Sequence, residues 1–232
     1  MTKEKGLHDG HRNRLRERFV QEGLSKFCDH QIVELILFYA IPRKDTNEIA
    51  HRLLNRFGSI SAMFDAPIES LQECGITYNA AVLLKLFPKV FSVYSIDQYK
   101  QNVNTSDEDD IERLIKPYFI GQNEEQVLLA LFNSKGKLIL CDIISKGTVT
   151  ASDVNISKIL QLSVQHKATG AIIAHNHPSG SNLPSQADLN MTKKLARSLR
   201  AVGVLLLDHY IIADMRCRSL SNSEEYEEIF FG

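Results

Sequence analysis

The 232 residues carry 27 Lys and Arg against 28 Asp and Glu, for a formal net charge of −1. That balance excludes a chain whose whole surface is a basic nucleic-acid footprint, but leaves room for a local basic patch. With 44% hydrophobic residues the chain can bury a sizeable core, as one large domain or two small ones.

Short helices fill the first hundred residues. Arg12 to Gln21 is charged, with Leu15 and Val20 interspersed. Gln31 to Ile41 is strongly apolar and stops at Pro42, which has no N–H to donate to a helix ladder. Asp45 and Glu48 have the spacing of a capping box and open a helix that Gly58 closes. Pro67 starts a short helix, Cys74-Gly75-Ile76-Thr77 breaks it, and a longer apolar helix runs to about Tyr94. From Ser95 to Asp110 the residues turn polar and gain little from burial. The expected organisation is a helical domain over 1–97, a linker over 98–110 and a second domain over 111–232.

Beyond the linker the periodicity changes. Gln126 to Phe132 and Lys137 to Ile143 are β-rich runs joined by Asn133-Ser134-Lys135-Gly136, a hairpin signal. Asp153 is the expected cap of a helix with Ile156, Ile159 and Leu160 on one face. Gly170 precedes Ala171-Ile172-Ile173-Ala174, too short for a helix and well sized for a buried strand. Ser185 to Val202 reads as an amphipathic helix with Leu189, Leu195 and Leu199 inward and Gly203 at its end. Val204 to Ala213 is a further strand. Helices interleaved with strands make this half α/β or α+β.

The four cysteines (Cys28, Cys74, Cys141 and Cys217) form no C-x-x-C pair and read as free thiols of a reducing compartment. The N-terminus lacks the apolar core of a signal peptide, and no stretch reaches the roughly 18 apolar residues of a membrane span. The expectation is a soluble cytoplasmic protein with no membrane partner.

The chemistry is concentrated in Ala174-His175-Asn176-His177-Pro178-Ser179-Gly180 and Pro184-Ser185-Gln186-Ala187-Asp188. His175 and His177 stand two apart at a strand end, so the period of two turns both imidazoles to one face. Pro178 and Gly180 turn the chain, and Asp188 returns in the first turn of the next helix. Two histidines and one carboxylate around an open fourth position is the stoichiometry of a catalytic zinc. Ser185 and Asp188 alone are also a helix capping box, and the two roles are compatible because both hold the carboxylate rigidly.

The spacing His-x-His, seven residues, Ser, two residues, Asp resembles the core of the JAMM metalloprotease motif. The fuller string, with Pro-Ser-Gly after the histidines and Pro184 before Ser185, resembles the RadC family. Phe132-Asn133-Ser134, Gly147-Thr148, Asp208-His209, Arg56-Phe57-Gly58-Ser59 and the Gly75 turn agree with that resemblance, which spans nearly the whole chain. It implies an all-helical, helix-hairpin-helix-like domain followed by a JAB/MPN-like mixed sheet with flanking helices, in cytidine-deaminase-like layering. It implies zinc (Zn2+) on His175, His177 and Asp188, with Ser185 hydrogen-bonding the bound water or the developing oxyanion. It also calls for an upstream glutamate as the proton-transfer base. The position aligned to it, just before Ile143-Ile144-Ser145, holds Asp142, whose arm is one methylene shorter, about 1.5 Å of reach. Asp142 is therefore expected either as the base or as a solvated strand end. His209 is expected as a partner behind the metal, a substrate contact, or a buried hydrogen-bonded histidine.

The implied function is a zinc-dependent hydrolase of peptide or isopeptide bonds, with a protein or peptide as substrate. The alternative is a DNA-associated repair or recombination accessory protein, with a structural or weakly active zinc site, that docks through its helical domain. Lys3, Lys5, Arg12, Arg14, Arg16 and Arg18 outnumber Glu4, Asp9 and Glu17 there. The Gly75 turn resembles a helix-hairpin-helix, but Thr77 stands where a second glycine is usual, and Tyr78-Asn79-Ala80-Ala81 brings no cation to a phosphate.

Overall fold

The computed structural model describes residues 10–100, 103–105, 107–147 and 154–231. Two compact units divide the chain, Met1–Lys89 and Val90–Gly232. The boundary lies inside a helix rather than in the polar 98–110 stretch. The apolar pattern carries that helix past Tyr94 to Tyr99, and Asp107, from the expected linker, caps a new helix by accepting the Asp109 N–H.

The first unit is helical, as the spacing predicts: α1 (His11–Glu22), α2 (Asp29–Ala40), α3 (Asn47–Phe57), α4 (Ile60–Asp65), α5 (Ile68–Gln72) and the start of α6 (Tyr78–Tyr99). Val33, Leu37, Leu53, Met63, Leu71, Ala80 and Leu84 form its core. Helix α2 ends before Pro42, and α3 ends on Gly58 at φ 81°, a left-handed closure that costs glycine nothing. Asp45 accepts the Asn47 N–H at 2.9 Å, and Thr46 is the N-cap, so α3 opens one residue later than the Asp45 capping box implies.

Several groups considered for phosphate contact are occupied internally. Arg12 donates to the carbonyls of Ile41, Pro42 and Lys44, closing the end of α2, and Arg18 donates to Lys26 O. Thr77 accepts the Ala80 N–H at 3.3 Å, so it caps α6. Lys3 and Lys5 lie outside the described residues. Helix α6 corrects the expectation that no stretch nears membrane-spanning length: its 22 residues are long and apolar enough to cross a bilayer. Its Ala80, Ala81 and Leu84 are buried in the helical core, while Leu86, Phe87, Val90, Phe91 and Val93 are exposed.

The second unit is built on a five-stranded mixed sheet of order β2-β1-β3-β4-β5, from β1 (Gln126–Phe132), β2 (Leu138–Lys146), β3 (Gly170–Asn176), β4 (Leu205–Ala213) and β5 (Arg216–Ser219). β1 and β2 form the expected hairpin: Asn133 Oδ1 accepts the N–H groups of Lys135 and Lys137, and Gly136 sits at φ 70°. β3 pairs antiparallel with β1 and parallel with β4, and α9 (Gln186–Ala201) makes the crossover between the parallel strands. On one face, Val127, Leu129, Ile173 and Ile211 pack with Ile159 of α8 (Ile156–Gln165), Leu195 and Leu199 of α9, and Phe230 of α10 (Glu228–Phe231). On the other, Leu128, Ala130, Ile172 and Tyr210 pack with Ile111, Leu114 and Ile115 of α7 (Glu108–Ile115). Asn155 caps α8 by accepting the Lys158 N–H, while the expected cap, Asp153, is outside the described residues. The four-residue elements β5 and α10 carry too few residues for a periodic signal, whereas α7 places Ile111, Leu114 and Ile115 on one buried face.

Candidate metal centre

The site forms at the carboxyl end of β3, the central strand, all of whose residues are buried. Ligand sites gather at such ends in α/β sheets, because the loops there separate and helix N-termini arrive. One residue beyond the strand, the His177 N–H still donates to Ile212 O at 2.8 Å, which keeps the strand alternation through both histidines. The turn that follows needs glycine at Gly180: φ is 86°, and a Cβ there would lie 3.3 Å from an Asp214 carboxylate oxygen. Ser185 then caps α9, accepting the Asp188 N–H at 3.1 Å, while Asp188 Oδ2 accepts both the Ser185 N–H (2.7 Å) and its hydroxyl (2.6 Å). The capping box holds Asp188 with its other oxygen, Oδ1, unused by Ser185.

His175, His177 and Asp188 converge as the spacing predicts. The two Nε2 atoms are 2.8 Å apart, with Asp188 Oδ1 3.4 Å from the first and Oδ2 3.5 Å from the second. The Nδ1 of His177 is 2.7 Å from Ser181 O, a carbonyl that can only accept, so Nδ1 carries the hydrogen and the Nε2 of the neutral ring is a bare lone pair. His175 and Asp188 are each 3% exposed. Lone pairs and a carboxylate crowded together out of water repel one another unless a cation sits among them. Imidazole nitrogen with carboxylate oxygen is a donor set that suits zinc. The residues present therefore fit the implied metal.

The carboxylate that joins the histidines from the hairpin is Glu125, and Asp142 is corrected. The ligand atoms of Glu125, His175 and His177 all lie within 4.8 Å of one another, a group that could hold a metal ion. Glu125 immediately precedes β1, whose Val127 pairs with His175. Asp142 instead pairs with Leu129 from the far side of β1, on the edge strand, and its exposed carboxylate accepts its neighbour's Ile143 N–H at 2.8 Å. Asn176 fixes Glu125 from both sides. Its Oδ1 accepts the Gln126 N–H at 2.8 Å, and its Nδ2 donates to Glu124 O at 3.0 Å. The middle residue of His-x-His thus anchors the segment that carries Glu125, a role its position between the histidines does not advertise. Asn176→Ala leaves the buried Gln126 N–H without its partner and is expected to cost about 1–3 kcal/mol in urea unfolding. A loss below about 0.5 kcal/mol would contradict the anchoring.

Electrostatics separates the two carboxylates. Burial pushes Asp188 upward, but His177, His175 and the two Ser185 bonds outweigh it and hold the group well below the ordinary carboxylate range. Glu125 is raised by burial, with His177 opposing and the Asp188 charge adding to the rise. A carboxylate fixed in its ionised form suits a metal ligand, and one with a raised pKa suits proton transfer. Burial lowers His175 to about 4 despite the Asp188 charge, so it is neutral at pH 7. His177 is raised because its protonated ring, with a second hydrogen on Nε2, can donate to Asp188, against burial.

His209, 0% exposed, sits behind this pair with Nε2 2.8 Å from His175 Nδ1. The outcome is the buried hydrogen-bonded histidine among the three expected roles, in contact with a metal-facing ring. Its Asp208 neighbour points elsewhere: Oδ1 accepts the Ser221 N–H and Oδ2 accepts the Ser219 hydroxyl.

Residues 105–226 match the family model described as RadC-like JAB domain. Among curated proteins, a UPF0758 protein of Fusobacterium nucleatum subsp. nucleatum is similar: 32% identical over 213 residues, covering 88% of this chain and 92% of the relative.

Proposed function

Since this chain belongs to the RadC family, with a RadC-like JAB domain over residues 105–226, we propose that it is a zinc-dependent hydrolase of peptide or isopeptide bonds. The observation that carries this reading is the meeting of the two imidazole Nε2 atoms, 2.8 Å apart, with two carboxylates of opposite pKa tendency. His175 Nε2, His177 Nε2 and Asp188 Oδ1 would hold the ion. Zinc, when bound, polarises a carbonyl and makes water a nucleophile near neutral pH. Glu125 takes the proton from the attacking water and returns it to the departing amine nitrogen, so one residue serves as base and then acid. Ser185 has one hydrogen, which rests on Asp188 Oδ2; as an oxyanion developed, Ser185 would redirect it to the substrate oxygen.

The test is to incubate the zinc-loaded full chain in 18O-water with a peptide library that includes lysine-branched isopeptides. Mass spectrometry is expected to find new termini, with one 18O in each new carboxyl group, and chelation is expected to abolish them. The absence of zinc-dependent cleavage of any linear or branched amide would overturn the proposal.

A further inference from the structure

We propose that Thr192 and His209 form a buried tautomer lock that forces the lone pair of His175 to face the metal position. The inference rests on the metal-site reading above and deepens it.

The directions follow from which groups can donate. The carbonyl of Asp188 can only accept, and the Thr192 hydroxyl lies 2.6 Å from it, so the single hydroxyl hydrogen points there. Thr192 Oγ1 is thereby left as an acceptor. His209 Nδ1, 2.7 Å away, must donate to it and carries the ring hydrogen. The other nitrogen of the neutral His209 ring, Nε2, is then an acceptor. His175 Nδ1, 2.8 Å away, donates to it, and His175 Nε2 is left bare toward His177 and Asp188. Each step leaves the next group one option, because Thr192 and His209 are both 0% exposed and no solvent can supply a competing bond.

Two features of the backbone make the lock possible. A register shift between Ala171↔Leu206 and Ile172↔Asp208 inserts one extra residue in β4. The shift pairs His209, not Asp208, with Ile173, on the strand face that also carries His175. Thr192 follows Asp188 by four residues, so one helical turn places its hydroxyl against the Asp188 carbonyl. The chain of bonds therefore starts on the main chain of one proposed ligand and ends on the side chain of another. It joins α9, β4 and β3 at the point where the ion would sit.

Thr192→Val keeps the shape and removes the hydroxyl, whereas Thr192→Ser keeps the hydroxyl. In the full chain, zinc affinity measured by competition with a chromophoric chelator is expected to fall about 10- to 100-fold in the valine variant. It is expected to stay within about 3-fold of the wild type in the serine variant. Imidazole 15N NMR of the metal-free wild type is expected to show His175 and His209 protonated at Nδ1. It reads the lock directly, without metal and without any variant that could misfold. His175 found protonated at Nε2 would overturn the lock, as would equal zinc affinities for the valine variant and the wild type. A wild type that binds no zinc but shows the expected tautomers would sink the metal reading and leave the lock standing.

Discussion

Glu125→Gln is expected to leave zinc bound and to lower amide hydrolysis by about 10²- to 10⁴-fold, the usual contribution of a positioned proton-transfer group. Glutamine preserves the length of the side chain and its packing against the histidines, but it cannot take a proton from water. Asp142→Asn is expected to match the wild type in both respects, because Asp142 lies on the edge strand with its carboxylate turned to the Ile143 N–H. The pair of variants separates the two candidate bases with one assay, the zinc-dependent cleavage described above. If Asp142→Asn were silent in hydrolysis and Glu125→Gln fully active, the assignment of the base would be wrong in both parts.

The second large effect concerns Asp188. Asp188→Asn keeps an oxygen able to accept the Ser185 N–H, so the cap of α9 survives, while the charge facing the two Nε2 atoms is lost. Zinc affinity is expected to drop by more than the roughly 10- to 100-fold typical of losing an outer hydrogen-bond partner of a ligand. In the metal-free protein the same change removes the anion that raises the His177 pKa, so that pKa is expected to fall in histidine NMR titrations. The two readouts are independent. Unchanged zinc affinity together with a lowered His177 pKa would mean that Asp188 acts on the histidine but not on the ion.

What the sequence disclosed and what it concealed follow from the range of each signal. His175, His177, Ser185 and Asp188 lie within fourteen residues on one strand, one turn and one helix start, so strand period and capping chemistry bring them together without knowledge of the tertiary fold. The helical unit and the separate strands were legible for the same reason, since α2, α3, β1, β3 and α9 each carry a full local pattern with a stop or cap, while the mixed sheet was implied by the family resemblance. Glu125 was not legible. It sits in the polar run Asn123-Glu124-Glu125-Gln126, where neither period nor turn residue marks it, and it reaches the histidines only through the long-range register Val127↔His175. Asp142 looked suitable because it stands at the position aligned to the glutamate that the family resemblance calls for, yet the strand order puts β1 between it and β3. His209 was among the expected candidates, but its place behind His175 depends on the β4 register shift, which no composition reveals. The domain boundary lies inside α6 for a different reason: once a helix is nucleated each further residue adds a bond at little cost, so polar residues such as Asp97 and Gln98 do not stop it.

The most direct test is diffraction from crystals of chelator-free full-length protein at the zinc absorption edge. One anomalous peak per chain is expected, about 2.0–2.2 Å from the Nε2 atoms of His175 and His177 and from one Asp188 oxygen. A fully occupied peak elsewhere, or no peak with the two imidazoles still in direct contact, would contradict this metal site.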